Sequence, residues 1–354
     1  MNAKTKRALK QLRAFEGGGK IKFYFEGLKP SKLGLKEKVR VSLVEKLGTG
    51  ANNANFLVVA NGKKFIFRLN MLLFERNKTR DEFNNLKLIE KARIAPRAWI
   101  LDDARKVFDS DFIVLDYIEG KTLNNIKYDL SEELVRKIAR LFLGFHLMPI
   151  KGNLLKLPRD EVNYEALLNH IKKRYDSVSK MVSDKEFLGF IKKGYNNLKA
   201  KSLAKKIVHP IVLTHGDIAE QNIVLYKGKL GLVDFEGVSI TDPAADIAYT
   251  FTQFGKKEFG EKQREIFLNE YLKHRKDETL RERVKVFMPM KNFGDLLWAI
   301  EQALRIKKGL MHKSYVEKNT LNGAISYAQV VFGRCIRDGT IDKRYRNFDL
   351  RRVI

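Results

Sequence analysis

The stretch from 213 to 249, LTHGDIAEQNIVLYKGKLGLVDFEGVSITDPAADIAY, constrains the fold more than any other part of the chain. Two short apolar runs, Ile223 to Tyr226 and Leu230 to Val233, flank the pair Lys227-Gly228. The pattern predicts two strands around a tight turn. Such a hairpin would bring the polar loop before it, with His215, Gly216, Asp217 and Asn222, close to Asp234 at its far end.

Those residue types at that spacing suit one chemistry. His215-Gly216-Asp217, four residues, then Asn222 has the spacing of a kinase catalytic loop. Asp234-Phe235-Glu236 follows after a strand. Phosphoryl transfer needs a carboxylate beside the attacking hydroxyl, and an amide oxygen with a second carboxylate to hold Mg²⁺ against ATP phosphates. Asp217 is therefore expected to orient the hydroxyl and accept its proton. Asn222 and Asp234 are expected to bind Mg²⁺, Glu236 to add a ligand directly or through water, and His215 to brace the loop. A surface turn would be the better reading of His-Gly-Asp alone.

Upstream, 41–47, 55–60 and 64–69 read as strands, the last two joined by Asn61-Gly62, a hairpin signal. Alternation puts Phe65, Phe67 and Leu69 on one face and Ile66 and Arg68 on the other. GTGANNAN lies between the first two strands, where backbone N–H groups could cover phosphates. Arg68 is placed to reach phosphates. Glu82, on a helix expected over 79–92, could pair with it; an ordinary surface ion pair is the alternative, which the rest of the pattern disfavours. Strands at 97–101 and 111–118 complete a small α+β lobe. Beyond Gly120 the chain reads as helical, with Ser131 capping a helix and two or three basic helices over 161–206.

HGDIAEQN, VDFEGVSITDPAADIA and FIFRLN together resemble the aminoglycoside phosphotransferases and choline/ethanolamine kinases. GANNANFLV fits that pattern through Asn53, Phe56 and Val58. RDEFNNLKLIEKARIAP resembles its Glu-bearing helix, and FIVLDYIEGKTL its inter-lobe hinge. The resemblance covers about 41–310, weakly in 151–207. It implies an α+β, protein-kinase-like two-lobe fold, with a small β-rich N-lobe and a larger helical C-lobe. It further implies ATP at the hinge near Asp116 to Ile118, and Asp246 as the aspartate that braces the catalytic loop; Asp246 could equally cap a helix start. LLWAIEQALR resembles the choline kinase helix that walls the choline pocket. This suggests a small amine-bearing alcohol near Trp298, Asp295 and Glu301, with Trp298 as plain core the alternative. Asp295 stands where a second tryptophan is expected.

The expected division is a basic N-terminal extension over 1–38, a nucleotide-binding N-lobe over 39–118, and a helical C-lobe over 119–354 carrying the catalytic loop and substrate site. The reading is an ATP- and Mg²⁺-dependent phosphotransferase acting on a choline-, ethanolamine- or aminoglycoside-like hydroxyl. Its rivals are an atypical RIO-like protein kinase and a catalytically silent kinase-fold module that binds RNA or protein. Retention of Asp217, Asn222 and Asp234 argues against the silent module.

The formal charge is +27, and the first 40 residues hold twelve Lys and Arg against three acids. A Lys-rich solvated surface accounts for this, since no nucleic-acid motif accompanies it; a nucleic acid or other polyanion held by the basic N-terminus is the alternative. One cysteine, Cys335, excludes a disulfide framework within the chain. No apolar run approaches the length of a membrane span, and no secretory signal is evident. A cytoplasmic location is expected.

Overall fold

The structure, a computed structural model, describes residues 18–49, 53–70, 78–92, 94–108, 110–157, 159, 164–203, 210–254, 259–311 and 320–354. The chain divides into two compact units. The first takes in the described residues up to Gly120 together with Gly231–Glu236, and the second holds almost all the rest.

The first unit is built on a five-stranded antiparallel sheet. Its strands are β1 (Val41–Thr49), β2 (Asn53–Ala60), β3 (Lys63–Asn70), β4 (Ala98–Asp102) and β5 (Phe112–Asp116), in the order β1-β2-β3-β5-β4. The β2–β3 turn has positive φ at both Asn61 (49°) and Gly62 (76°), the backbone that a two-residue hairpin of the primed type demands. Alternation along β3 places Phe65, Phe67 and Leu69 in the core. Arg68 points to the opposite face, toward the helix α2 (Lys78–Ile89).

The core face of the sheet is closed by residues that the sequence assigned to an appendage. Helix α1 (Gly19–Glu26) carries Ile21 and Phe25 four residues apart on one face, and both are fully buried. Leu33, from a 3₁₀ turn over Pro30–Leu33, and Val39 join the same cluster as Phe65, Phe67, Phe108 and Phe112. Residues 19–39 thus pack on this sheet and fall within the first unit. Lysines around Ile21 and Phe25 give the segment a polar average, whereas burial follows helical spacing. Residues 1–17 of the basic extension lie outside the described residues.

The second unit is mainly helical, with α3 (Glu132–His146), α4 (Glu165–Ser179), α5 (Lys185–Leu203), α6 (Pro243–Gln253), α7 (Glu261–His274), α8 (Leu280–Lys307) and α9 (Leu321–Arg337). Ser131 caps α3 by accepting from the Leu134 amide, as expected. Short strands precede α6. β6 (Lys121–Thr122) pairs with β8 (Ile223–Tyr226), which forms a hairpin with β9 (Lys229–Leu232), and β7 (Val212–Thr214) pairs with β10 (Ser239–Thr241). Lys227 and Gly228 both take positive φ at the β8–β9 turn. Helix α8 lies at the centre, packed against α4, α6 and α9. No helix among the described residues is long and apolar enough to cross a membrane.

Candidate active site

The loop after β7 is held from one helix. Asp242 begins α6 by accepting from the Ala244 amide at 2.8 Å, with Pro243 at the first helical position. That leaves Asp246 for a different task. Its Oδ2 accepts from the His215 amide at 2.8 Å and its Oδ1 from the Gly216 amide at 2.7 Å. His146 approaches the same carboxylate at 3.4 Å while its Nδ1 meets the Tyr271 hydroxyl at 2.8 Å. Burial would raise the Asp246 pKa; the contacts with His146 and the His215 amide outweigh it and hold the group below the ordinary carboxylate value.

Further along α6, Tyr249 and Thr250 sit three and four residues beyond Asp246, hence on the same helical face. The Tyr249 hydroxyl donates to Asp217 Oδ1, and the Thr250 hydroxyl donates to the Ile218 carbonyl at 2.5 Å. One helix face thus engages four consecutive loop residues, 215 to 218. Asn222 closes the loop from the other side: its Nδ2 donates to the carbonyl and to Oδ2 of Asp217, each at 2.9 Å. The His215 ring is buried and accepts from the Asp217 amide at 3.3 Å. Asp217 itself is only partly buried.

Gly216 makes the loop possible. Its φ is +84°, and an added Cβ would lie 2.4 Å from the Gly237 carbonyl oxygen. Only glycine suits that backbone and that approach.

In the first unit, Arg68 gathers the acidic residues. Its Nη1 lies 2.5 Å from Glu82 Oε1 and 3.0 Å from Asp234 Oδ1, and its Nε donates to Asn55 Oδ1 at 3.1 Å. Glu82 and Asp234 hold the guanidinium charged against its burial, with Glu236 assisting. Burial pushes Glu82 up to about 7, Arg68 opposing and Asp234 and Glu236 reinforcing the rise. Three carboxylates therefore act around one cation. Asp234 also takes φ +71°, a left-handed conformation unusual outside glycine.

The remaining expected residues are placed as follows. Asn53 opens β2 and is paired with Asn70. The middle of the GTGANNAN loop, residues 50–52, lies outside the described residues. Asp116 accepts from the Trp99 indole at 2.7 Å and lies 3.4 Å from Lys63 Nζ. The Ile118 side chain lies 3.9 Å from where a Cβ on Gly231 would be. On α8, Asp295 accepts from the Tyr327 hydroxyl at 2.7 Å and from Gln253 at 3.1 Å, and burial raises its pKa against those two bonds. Trp298 meets Tyr327 edge-on at 6.3 Å. Glu301 is not grouped with them: it takes hydrogen bonds from Ser177 at 2.7 Å, Arg305 at 2.8 Å and Arg174 at 3.4 Å.

Asn55, Tyr249, Thr250, Gln253 and Tyr327 were not singled out from the sequence. Helical spacing from Asp246 would have found Tyr249 and Thr250, and the alternation of β2 against β3 would have set Asn55 opposite Arg68. Tyr327, on α9, is 32 residues from Asp295 and 74 from Gln253, and no local pattern marks it.

The model of the phosphotransferase enzyme family matches residues 44–287. Comparison with curated proteins finds no match. Solved structures of similar fold include a choline kinase from Cryptosporidium parvum Iowa II, 17% identical with a TM-score of 0.63, the match covering 93% of this chain and 97% of that one. A choline/ethanolamine kinase family protein from Mesorhizobium loti is 18% identical with a TM-score of 0.61, covering 93% and 96%. The aminoglycoside-type enzyme APH(2")-IIia, solved with GDP and kanamycin, is 16% identical with a TM-score of 0.59, covering 90% and 99%. At these identities the likeness is one of fold, and the α+β, protein-kinase-like fold expected from the sequence is borne out.

Proposed function

Because this chain belongs to the phosphotransferase enzyme family, we propose that it moves the γ-phosphoryl group of ATP to a hydroxyl of a small polar alcohol. The observation that carries this reading is the held carboxylate of Asp217. Both its oxygens take hydrogen bonds, and its loop is pinned from Asp246. A carboxylate fixed this way can accept the proton of an attacking hydroxyl without reorganising in the transition state. The new O–P bond forms as the bond to the β-phosphate oxygen breaks, ADP leaves, and the proton passes to Asp217.

The residues present fit Mg²⁺ with ATP. Asp234 and Asn222 offer a carboxylate and an amide oxygen, both hard donors. Commitment of Asn222 Nδ2 to Asp217 turns its amide oxygen away from that carboxylate. Around Arg68 the three acids carry more negative charge than one guanidinium offsets, a surplus that a divalent cation suits. Bound Mg²⁺ would draw charge off the phosphates and fix their geometry. Arg68, oriented by Glu82 and Asn55, would serve as the phosphate-facing cation. The backbone of 116–118 would seat the adenine, and Asn53 would lie toward the phosphates.

For the acceptor, Trp298, Tyr327, Asp295 and Gln253 give an aromatic and acidic corner in the unit that holds Asp217. An amine-bearing alcohol suits it, because a cation is attracted by both an aromatic face and a carboxylate. Glu301 is omitted, its charge being met by Arg174 and Arg305.

The test is Mg²⁺-dependent ATP consumption by the full chain with choline, ethanolamine, aminoglycosides, sugars and nucleosides. Stimulation by one class names the acceptor. Failure of every alcohol to speed turnover, with Asp217→Asn indistinguishable from wild type, would remove the reading.

A further inference from the structure

Among the groups around Asp217, Tyr249 is the one with no assigned task. It lies on α6 three residues after Asp246, and its hydroxyl reaches Asp217 Oδ1. The other carboxylate oxygen, Oδ2, takes the Asn222 amide. A carboxylate has about four acceptor positions on two oxygens. Two are filled by donors from different elements, one on α6 and one within the loop. Together these two bonds fix the plane of the carboxylate.

The surroundings of the tyrosine suit a donor rather than a filler. Its ring is partly buried, with Lys291 Nζ 5.3 Å from the centroid. Asp295 and Tyr327 lie close enough to act on its hydroxyl, and burial first, then Asp217, keep the phenol protonated. Its neighbour Thr250 binds backbone, at Ile218, and Asp246 binds amides; Tyr249 alone on that face binds the side chain that does the chemistry. It also adjoins the Asp295 corner, whose carboxylate takes Gln253 from the next turn of α6.

We propose that Tyr249 is a positioning residue for phosphoryl transfer, its hydroxyl setting the orientation of the Asp217 carboxylate toward the acceptor. The inference rests on the kinase reading above. It also links acceptor and base: a ligand drawn to Asp295 and Trp298 sits beside the tyrosine that aims Asp217. Asp217 supplies the proton acceptance and Tyr249 supplies only geometry.

The test is a double-mutant cycle on the full chain with wild type, Tyr249→Phe, Asp217→Asn and the double variant. Phenylalanine keeps the ring and its contact with Lys291 and removes only the hydroxyl. Turnover of Mg·ATP is read with water as acceptor, so no acceptor need be known; ATP affinity and thermal midpoint are measured alongside. A hydrogen bond to a charged group is lost, so kcat should fall about ten- to a hundredfold in Tyr249→Phe, with KM for ATP and the midpoint near wild type. Because the tyrosine acts through the aspartate, Tyr249→Phe should cost nothing further once Asp217 is Asn. Wild-type kcat in Tyr249→Phe overturns the proposal, as does a kcat loss that adds fully to that of Asp217→Asn or follows a loss of ATP affinity. If Asp217→Asn abolishes turnover while Tyr249→Phe does not reduce it, the kinase reading stands and this inference falls. A wild-type protein that turns over no ATP with water or with any of the alcohols named above removes both.

Discussion

Asp246 Oδ1 accepts the Gly216 amide at 2.7 Å, and Oδ2 of the same carboxylate takes the amide of the preceding residue. A carboxylate buried to 2% exposure thereby satisfies two consecutive N–H groups of a loop that has little regular structure of its own. Asp246→Ala would leave both donors without that acceptor, at about 1–3 kcal/mol each. The expected result is a thermal midpoint several degrees lower and a much larger fall in turnover. Asp246→Asn keeps one accepting oxygen and should lie between. Equal melting curves for Ala and wild type would show that the loop is held elsewhere.

Gly216→Ala tests the same loop from the backbone. The new Cβ would meet the Gly237 carbonyl oxygen at 2.4 Å, at a φ of +84°. The left-handed conformation alone costs a non-glycine residue about 1–2 kcal/mol, and the contact can be relieved only by moving backbone. Turnover should fall by at least about a hundredfold, since a displacement of about 1 Å at a catalytic group costs that much. A circular-dichroism spectrum like that of wild type would place the effect in the loop.

Arg68 and Glu82 differ in what each leaves behind. Removing the guanidinium strands Glu82, 3% exposed, beside Asp234 and Glu236. Breaking a buried pair from one side costs about 3–5 kcal/mol, so Arg68→Ala should destabilise strongly and weaken ATP binding. Glu82→Gln leaves Arg68 bonded to Asp234 and relieves the crowding of acids. It should be the milder change in urea denaturation, with turnover reduced because Arg68 loses its support. The opposite order would contradict the charge argument.

How much of this was legible depended on whether a signal was local. The β3 alternation, the Asn61-Gly62 turn, the Ser131 cap and the polar loop from His215 to Asn222 are patterns within ten residues, and each is found in the fold. The pairing of Arg68 with Glu82 was within reach because a strand and the following helix are close in sequence. By contrast, Arg174 comes to Glu301 from α4, far away in the chain, and joins Arg305 one turn further along α8, so the acid read as available for a ligand is already paired. Tyr271 behind His146, and Tyr327 beside Asp295, are likewise long-range. For Asp246 the sequence allowed a helix-start cap alongside the bracing role, because both aspartates of DPAADIA lie at the start of the same helix; the structure gives the cap to Asp242.

Glu270 carries a pH dependence. It clamps α7 to α3, taking Arg140 at 2.8 Å and Arg136 at 2.9 Å, with Lys273 at 3.2 Å. Desolvation would raise its pKa, yet the hydrogen bonds from Arg140, Arg136 and Lys273 bring it down to about 2. A carboxylate with a depressed folded-state pKa stabilises the fold fully above its unfolded value near 4.3 and loses that contribution as pH falls toward 2. Glu270→Gln should therefore melt below wild type at pH 7, and the gap should close between about pH 4.5 and 2. A gap that stays constant over that range would mean the ion pairs contribute nothing.

Helix α1 decides where a shortened chain can begin. Phe25 packs its ring against Phe65 at 6.1 Å and Phe67 at 6.4 Å between centroids, and Ile21 and Leu33 are as fully buried as it is. A chain starting near Val39 would expose that side of the sheet. Each lost anchor removes about 1.5–3 kcal/mol of burial, and together they approach the whole stability of an ordinary domain, about 5–15 kcal/mol. Deletion of 1–38 should give insoluble protein or a small unit that no longer binds ATP. Phe25→Ala in the full chain is the gentler measurement. It should lower stability by about 3–5 kcal/mol through the cavity it opens, in the unfolding transition of the small unit. A soluble, ATP-binding chain beginning at residue 39 would mean that the sheet core closes without α1, and the boundary would return to where the sequence first put it.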